Sequence, residues 1–349
     1  MSTSRRQFLF QSIAGSALAA GTGSSAAQAL DSTIIGGNTW VLGYSLLQSI
    51  ELMQELGFQT VEIHPFGVPD AIPGRPPGFQ FDRLSDDKKR KIKSALAGFR
   101  HVTSHLPYTD LHYLSLSAPV AEFAVKQIDI ALEATAYFGG EVAVLHPEPA
   151  SGQTLEQVWP VMLRRFRRWG DMARKAGIRI GLETGHPPSV RDFVRLVQAV
   201  DHDNVGATID VGHQSKYAEL VSRVRPDERG TPKGIKAYND TTIDIIDRLR
   251  SKVIHFHVHD IEPASWKEHQ PLIHGFVDYP RLIKKLREIE YNGVLVIEIG
   301  APADEMPRHL SDAKRKLEGY LSGASTAREA GSVHGGLLGG EIAGGLGCD

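Results

Sequence analysis

The segment VIHFHVHD, residues 253–260, sets His255, His257 and His259 at alternate positions, with Phe256 and Val258 between them. Alternation of period two belongs to a β-strand and sends the three imidazoles out of one face. Neighbours on that face stand about 6.5–7 Å apart. One ion with bonds of about 2.1 Å cannot easily take all three, so the histidines must work at different depths. The chain has 15 histidines but a single cysteine, Cys348. That excludes a disulfide framework and a thiolate zinc site, and leaves His, Asp and Glu to hold any metal.

Other residues of the same chemistry recur at comparable places. Short Val- and Ile-rich runs at 41–45, 60–64, 101–105, 142–146, 179–183, 205–210, 253–258 and 294–298 each read as a strand. Seven of these eight carry a metal-capable residue at or beside the last position: His64, His105, His146, Glu183, Asp210, His257 and Glu298. A lone histidine at a strand end commonly serves structure only, and His64, just before Pro65, has that reading too. Seven in register need another explanation. Charged groups gathered at one end of a fold repel and lose hydration, and a divalent cation compensates both.

The elements that must position these residues alternate along the chain. Segments of helical periodicity lie near 46–56, 85–98, 118–138, 154–176, 189–200, 239–250, 278–290 and 303–321. Several open on a capping serine (Ser85, Ser117, Ser189) and several close on glycine (Gly57, Gly139, Gly177). Eight strand–helix units are the count of a single (β/α)8 TIM barrel, whose C-terminal strand ends meet at one mouth. An open doubly wound sheet is the rival. It would more often carry a glycine-rich phosphate loop after its first strand, and GYSLLQSIELM, residues 43–53, has none. Two long loops, the Pro/Gly-rich 65–80 and the charged 213–240, are placed to shape a pocket or act as lids. The run Arg164, Arg165, Arg167 and Arg168 looks like a phosphate patch, but its mid-helix place reads as a solvated outer face.

Residues 1–29 read as an export signal. SRRQFL at 4–9 resembles the twin-arginine (Tat) consensus; a mild apolar stretch and the small-x-small site Ala27-Gln28-Ala29 follow. The barrel is then expected over 30–321, with a flexible glycine-rich tail over 322–349. Such a signal implies a periplasmic or otherwise exported protein, carried already folded, which suits one that acquires its cofactor in the cytoplasm. No other stretch approaches a membrane-spanning length. The formal net charge of −2 argues against a nucleic-acid partner.

Taken together, GFQTVEIH, SHLPY, VAVLHPEP, IGLETG, TIDVGH, HFHVHD, IHGFVDYPRLIKKL and VLVIEIG resemble the xylose isomerase-like TIM-barrel superfamily over roughly residues 40–320. That superfamily holds the sugar (phosphate) isomerases and epimerases and the type IV AP endonucleases. The resemblance implies a central metal site at Glu183, Asp210, His257 and Glu298. Three carboxylates and one imidazole form a hard, oxygen-rich set that favours Mn²⁺, with Mg²⁺, Co²⁺ or Zn²⁺ as alternatives. It also places His105 and His146 where the endonuclease branch binds a second metal. His213 and His269 match ligands of that branch's third, whereas Lys267 stands where the branch has a carboxylate. In the epimerase branch such histidines bind substrate hydroxyls, and His64, His105, His146, His213, His259 and His269 are assigned to substrate here.

The function expected is therefore that of a metal-dependent sugar isomerase or epimerase. Glu183 and Glu298 would take and return a proton beside a carbonyl, through an enediolate, on an unphosphorylated sugar or glycoside. The first alternative is a metal-dependent lyase or hydrolase of 3-keto-glycosides. Further ones are an endonuclease IV-like phosphodiesterase and a non-catalytic sugar-binding protein. Lys267, the acidic net charge and the export signal count against the phosphodiesterase.

Overall fold

Alternation within each strand divides its residues between two environments. In the strand Val253–Val258, Phe256 packs outward against Tyr291, while His255 and His257 meet Glu62 inside the barrel. Each outward Val, Ile or Phe buried this way is worth about 1.5–3 kcal/mol, which drives the helices onto the strands.

The computed structural model describes residues 30–323 apart from 109, 110, 151 and 274. The expected signal segment, and the expected tail beyond 323, lie outside the described residues. Eight parallel strands run in chain order: β1 (Ile35–Asn38), β2 (Thr60–Ile63), β3 (His101–His105), β4 (Val142–Leu145), β5 (Arg179–Glu183), β6 (Val205–Asp210), β7 (Val253–Val258) and β8 (Val294–Ile297). Each pairs with the next and β8 pairs with β1, which closes the barrel. The helices between and after them are α1 (Leu46–Glu55), α2 (Asp86–Leu96), α3 (Ala118–Tyr137), α4 (Leu155–Ala176), α5 (Val190–Val200), α6 (Ala218–Val221), α7 (Pro232–Leu249), α8 (Tyr279–Glu288) and α9 (Met306–Ser322). None of them is long and apolar enough to cross a membrane.

Two placements differ from the sequence expectation. The first strand is Ile35–Asn38, not 41–45. Its glycine pair hides it, because glycine weakens a strand pattern. Here the pair makes room: a Cβ on Gly37 would stand 2.2 Å from Met53 Sδ, and one on Gly36 2.7 Å from Thr60 Cγ2. The loop expected over 213–240 is largely structured. It holds a 3-10 turn at His213–Lys216, then α6, and α7 begins at Pro232 with Thr231 as its cap. Proline at the first helical position and a threonine cap are start signals, here masked by the weakly apolar first turn. Ser85 and Ser189 cap their helices through the side chain, whereas Ser117 does not. Arg168 pairs with Asp129, and Arg167 donates to the carbonyls of Val200 and Ala199 at the end of α5.

One irregularity matters for the site. The β6–β7 pairing slips between Ala207 and Thr208, after which Asp210 lies beside His257. A slip of one residue exchanges the faces of a strand. This one brings an aspartate and a histidine level with each other inside the mouth.

Candidate active site

Glu183 ends β5, Asp210 ends β6, His257 is the penultimate residue of β7 and Glu298 follows β8. One donor atom from each lies within 4.8 Å of all the others. His257 Nδ1 stands 2.6 Å from Glu183 Oε1, 3.1 Å from Glu298 Oε2 and 3.9 Å from Asp210 Oδ2. Burial pushes the Glu183 carboxyl up, but His257 and His146 beside it outweigh that and hold it well below the usual carboxylate range. Asp210 is held low in the same way by His213 and His259. Glu298 is the more open member and lines the adjoining cavity.

Two groups of side chains flank the quartet. On one flank His146 Nε2 lies 2.6 Å and His105 Nε2 3.3 Å from Glu183 Oε2. That buried oxygen nonetheless makes no hydrogen bond of acceptable geometry. It is an orphaned buried carboxylate oxygen, and donor atoms of His105, Glu183 and His257 lie within 4.8 Å of one another, which is what a bound cation would satisfy. The residues present therefore fit a divalent metal. On the other flank His213, Glu268 and His269 bring donor atoms within 4.8 Å of one another. Lys267 is exposed, and Glu268, the next residue, brings a carboxylate oxygen 3.9 Å from His213 Nε2. The backbone turns at positive φ at Trp266 (62°) and His269 (60°), either side of Glu268.

The assigned histidines divide into two kinds. His105, His146, His213 and His269 surround the quartet. His64 lies on the inner wall, between Trp40 at 4.9 Å and His105 at 5.9 Å, with Nδ1 3.3 Å from the Thr39 hydroxyl. His259 faces Asp210 and His269, not the cavity lining. It is wholly buried, and its Nε2 faces Asp210 at 3.1 and 3.2 Å, so it donates to that carboxylate. Its Nδ1 lies 3.0 Å from the His269 amide. After Val258 the chain leaves the barrel wall through a bridge between Asp260 and Gln270, and this carries His259 behind Asp210. His255 sits one layer below His257, as its depth in the strand requires.

Sequence reasoning missed Glu62 and Glu268. Glu62 Oε1 lies 3.0 Å from His257 Nε2, opposite the quartet. Its signal was a carboxylate two residues before His64, on the inward face of a Val/Ile strand. Trp40 and Tyr108 were missed as well. With Asn38, His269 and Glu298 they form the polar end of a cavity of about 300 Å³. Leu42, Ile299, Ala301, Met306 and Leu310 make its apolar wall.

The family profile described as xylose isomerase-like TIM barrel matches residues 50–318. The chain belongs to this family. It is 26% identical over 208 residues to the uncharacterized protein MJ1311 of Methanocaldococcus jannaschii, an alignment covering 56% of this chain and 64% of that protein. This chain thus spans less than two thirds of that relative's length. Among solved structures it resembles a D-tagatose 3-epimerase-like protein, with a TM-score of 0.63, 21% identity, and 83% of this chain and 97% of that one covered. It also resembles YcjR of E. coli, a 3-keto-D-glucoside 4-epimerase, with a TM-score of 0.60, 19% identity, and coverage of 81% and 98%.

Proposed function

We propose that this family member is a metal-dependent sugar isomerase or epimerase, acting beside a carbonyl of an unphosphorylated sugar or glycoside. The observation that carries this reading is the convergence of Glu183, Asp210, His257 and Glu298 at the barrel mouth. These four would hold the metal, and their oxygen-rich composition suits Mn²⁺ before Mg²⁺ or Co²⁺. Such a cation, when bound, polarises a substrate carbonyl and makes the neighbouring C–H acidic.

The chain's own residues do the rest. Glu183 and Glu298 come from β5 and β8, three strands apart in the eight-stranded barrel. They reach the substrate space from different sides, so one carboxylate takes the proton and the other returns one to the opposite face. A positioned base of this kind contributes about 10²–10⁴-fold. His105, His146, His213 and His269 offer ring nitrogens to hydroxyls, and Trp40 and Tyr108 flank the opening. The described residues lining the cavity are Glu298, His269, Asn38, aromatic and apolar side chains, a lining that suits an unphosphorylated substrate.

A second reading, action on a 3-keto-glycoside, gains from the apolar wall. Leu42, Ile299, Ala301, Met306 and Leu310 would shelter an apolar aglycone better than a free sugar's hydroxyls. Export belongs to the same proposal: replacing Arg5 and Arg6 by lysine in the full chain should retain the protein in the cytoplasm, as fractionation would show. For the chemistry, the test is a screen in D₂O of ketohexoses and 3-keto-glucosides with Mn²⁺-loaded protein. Deuterium should enter the carbon beside the carbonyl. Cleavage of abasic-site DNA with no exchange into any sugar would move the assignment to a phosphodiesterase.

A further inference from the structure

Beneath the mouth quartet lies a second polar layer that the chemistry above does not use. Glu62 is wholly buried on β2. Its Oε1 lies 3.0 Å from His257 Nε2 and 3.4 Å from Asn38 Nδ2. Its Oε2 accepts from the Thr103 hydroxyl at 3.1 Å, with His255 Nε2 3.4 Å away. A carboxylate inside a Val/Ile strand loses its hydration and needs strong partners. His257 is the nearest of them.

Both nitrogens of the His257 ring therefore face carboxylates, on opposite sides. Nδ1 looks up at Glu183 and Glu298, and Nε2 looks down at Glu62. A ring nitrogen that ligates a metal must present its lone pair. With Nδ1 turned to the quartet, the proton sits on Nε2 and is donated to Glu62 Oε1. The Thr103 hydroxyl and the Asn38 amide in turn hold the carboxylate, so the whole stack is tied to β1, β2, β3 and β7.

We infer that Glu62 is the positioning residue of this site: it fixes the tautomer and plane of His257 and strengthens Nδ1 as a ligand. The inference rests on the reading of the quartet as a metal centre. Outer partners of ligating histidines are worth about 10–100-fold in metal affinity. Glu62 is placed to supply this from below, out of reach of substrate.

Metal-stripped wild type, Glu62→Gln and Glu62→Met are titrated with Mn²⁺ against a competing chelator, and circular dichroism checks that each is folded. Glu62→Met should bind about 10–100-fold more weakly than wild type. Glu62→Gln should fall between, because its amide oxygen still accepts the Nε2 proton without the charge. The visible absorption of bound Co²⁺ should shift in Glu62→Gln, which a merely structural role would not produce. A folded Glu62→Met that binds Mn²⁺ within threefold of wild type overturns the inference and leaves the quartet reading standing. So does a second bound equivalent that vanishes in both Glu62→Met and His255→Ala, since it would make Glu62 a ligand of a deeper ion. A wild type that takes up no Mn²⁺ overturns the quartet reading and this one together.

Discussion

His257 Nδ1 stands 2.6 Å from Glu183 Oε1, joining β7 to β5 across the inside of the barrel. The two residues are 74 apart in sequence, and Glu298 reaches the same nitrogen at 3.1 Å. A nitrogen placed between two carboxylates, with a third nearby, is a cation site in outline.

Glu298 is both a member of the quartet and its most open carboxylate. Glu298→Gln keeps an oxygen for the metal but removes the base. Its kcat should fall about 10²–10⁴-fold while Mn²⁺ binding persists. Steady-state kinetics beside a metal titration checks both halves, and full turnover would remove Glu298 from the chemistry.

His259 is buried with Nε2 facing Asp210, the placement of a support for that carboxylate and not of a sugar-binding group. His259→Asn should weaken metal affinity about 10–100-fold and leave the KM for sugar, measured at saturating Mn²⁺, unchanged. A raised KM with unaltered metal affinity would restore His259 to the substrate-binding set.

The buried neutral imidazoles make the fold acid-sensitive. Burial pushes His64 and His255 down to about 3, against about 6.5 in an unfolded chain. Below pH 6.5 the unfolded chain takes up these protons and the folded one does not, so stability falls as pH drops towards 3. At pH 5 each ring should cost about 2 kcal/mol relative to neutral pH. Denaturant melts of metal-free protein at pH 7 and pH 5 would show the loss, and His255→Asn should reduce it.

The apolar cavity wall makes a claim about specificity. Ala301→Asp places a charge on that wall. It should lower kcat/KM for an aryl 3-keto-glycoside about tenfold, the scale of one apolar pocket contact, with little effect on a free ketose. Equal losses for both substrates would show that the wall does not receive the aglycone.

Much of this was legible in the sequence because a barrel strand advertises itself twice. Its apolar alternation marks the strand, and its last residue marks the mouth. Strand ends offered seven candidates, the family resemblance singled out Glu183, Asp210, His257 and Glu298 among them, and the structure brings these four together. What stayed hidden has physical reasons. The glycine pair of β1 carries no strand propensity, because its purpose is to admit Met53 and Thr60. Glu62 reads as an ordinary polar position until its burial is known. Glu268 depends on loop backbone at positive φ on either side, which residue types alone do not announce. His259 shares its alternation with His257 but lies beyond the last strand residue, where periodicity no longer predicts direction.

The central claim is that the quartet is a divalent-metal centre. Its most direct test is titration of metal-stripped protein with Mn²⁺, following the free ion by electron paramagnetic resonance. Wild type should quench the free-ion signal through a tight site that Asp210→Ala and Glu183→Ala, which remove the ligand oxygens altogether, abolish without unfolding the barrel. A folded wild-type protein that leaves the free-ion signal intact, or variants that bind as tightly as wild type, would contradict the account.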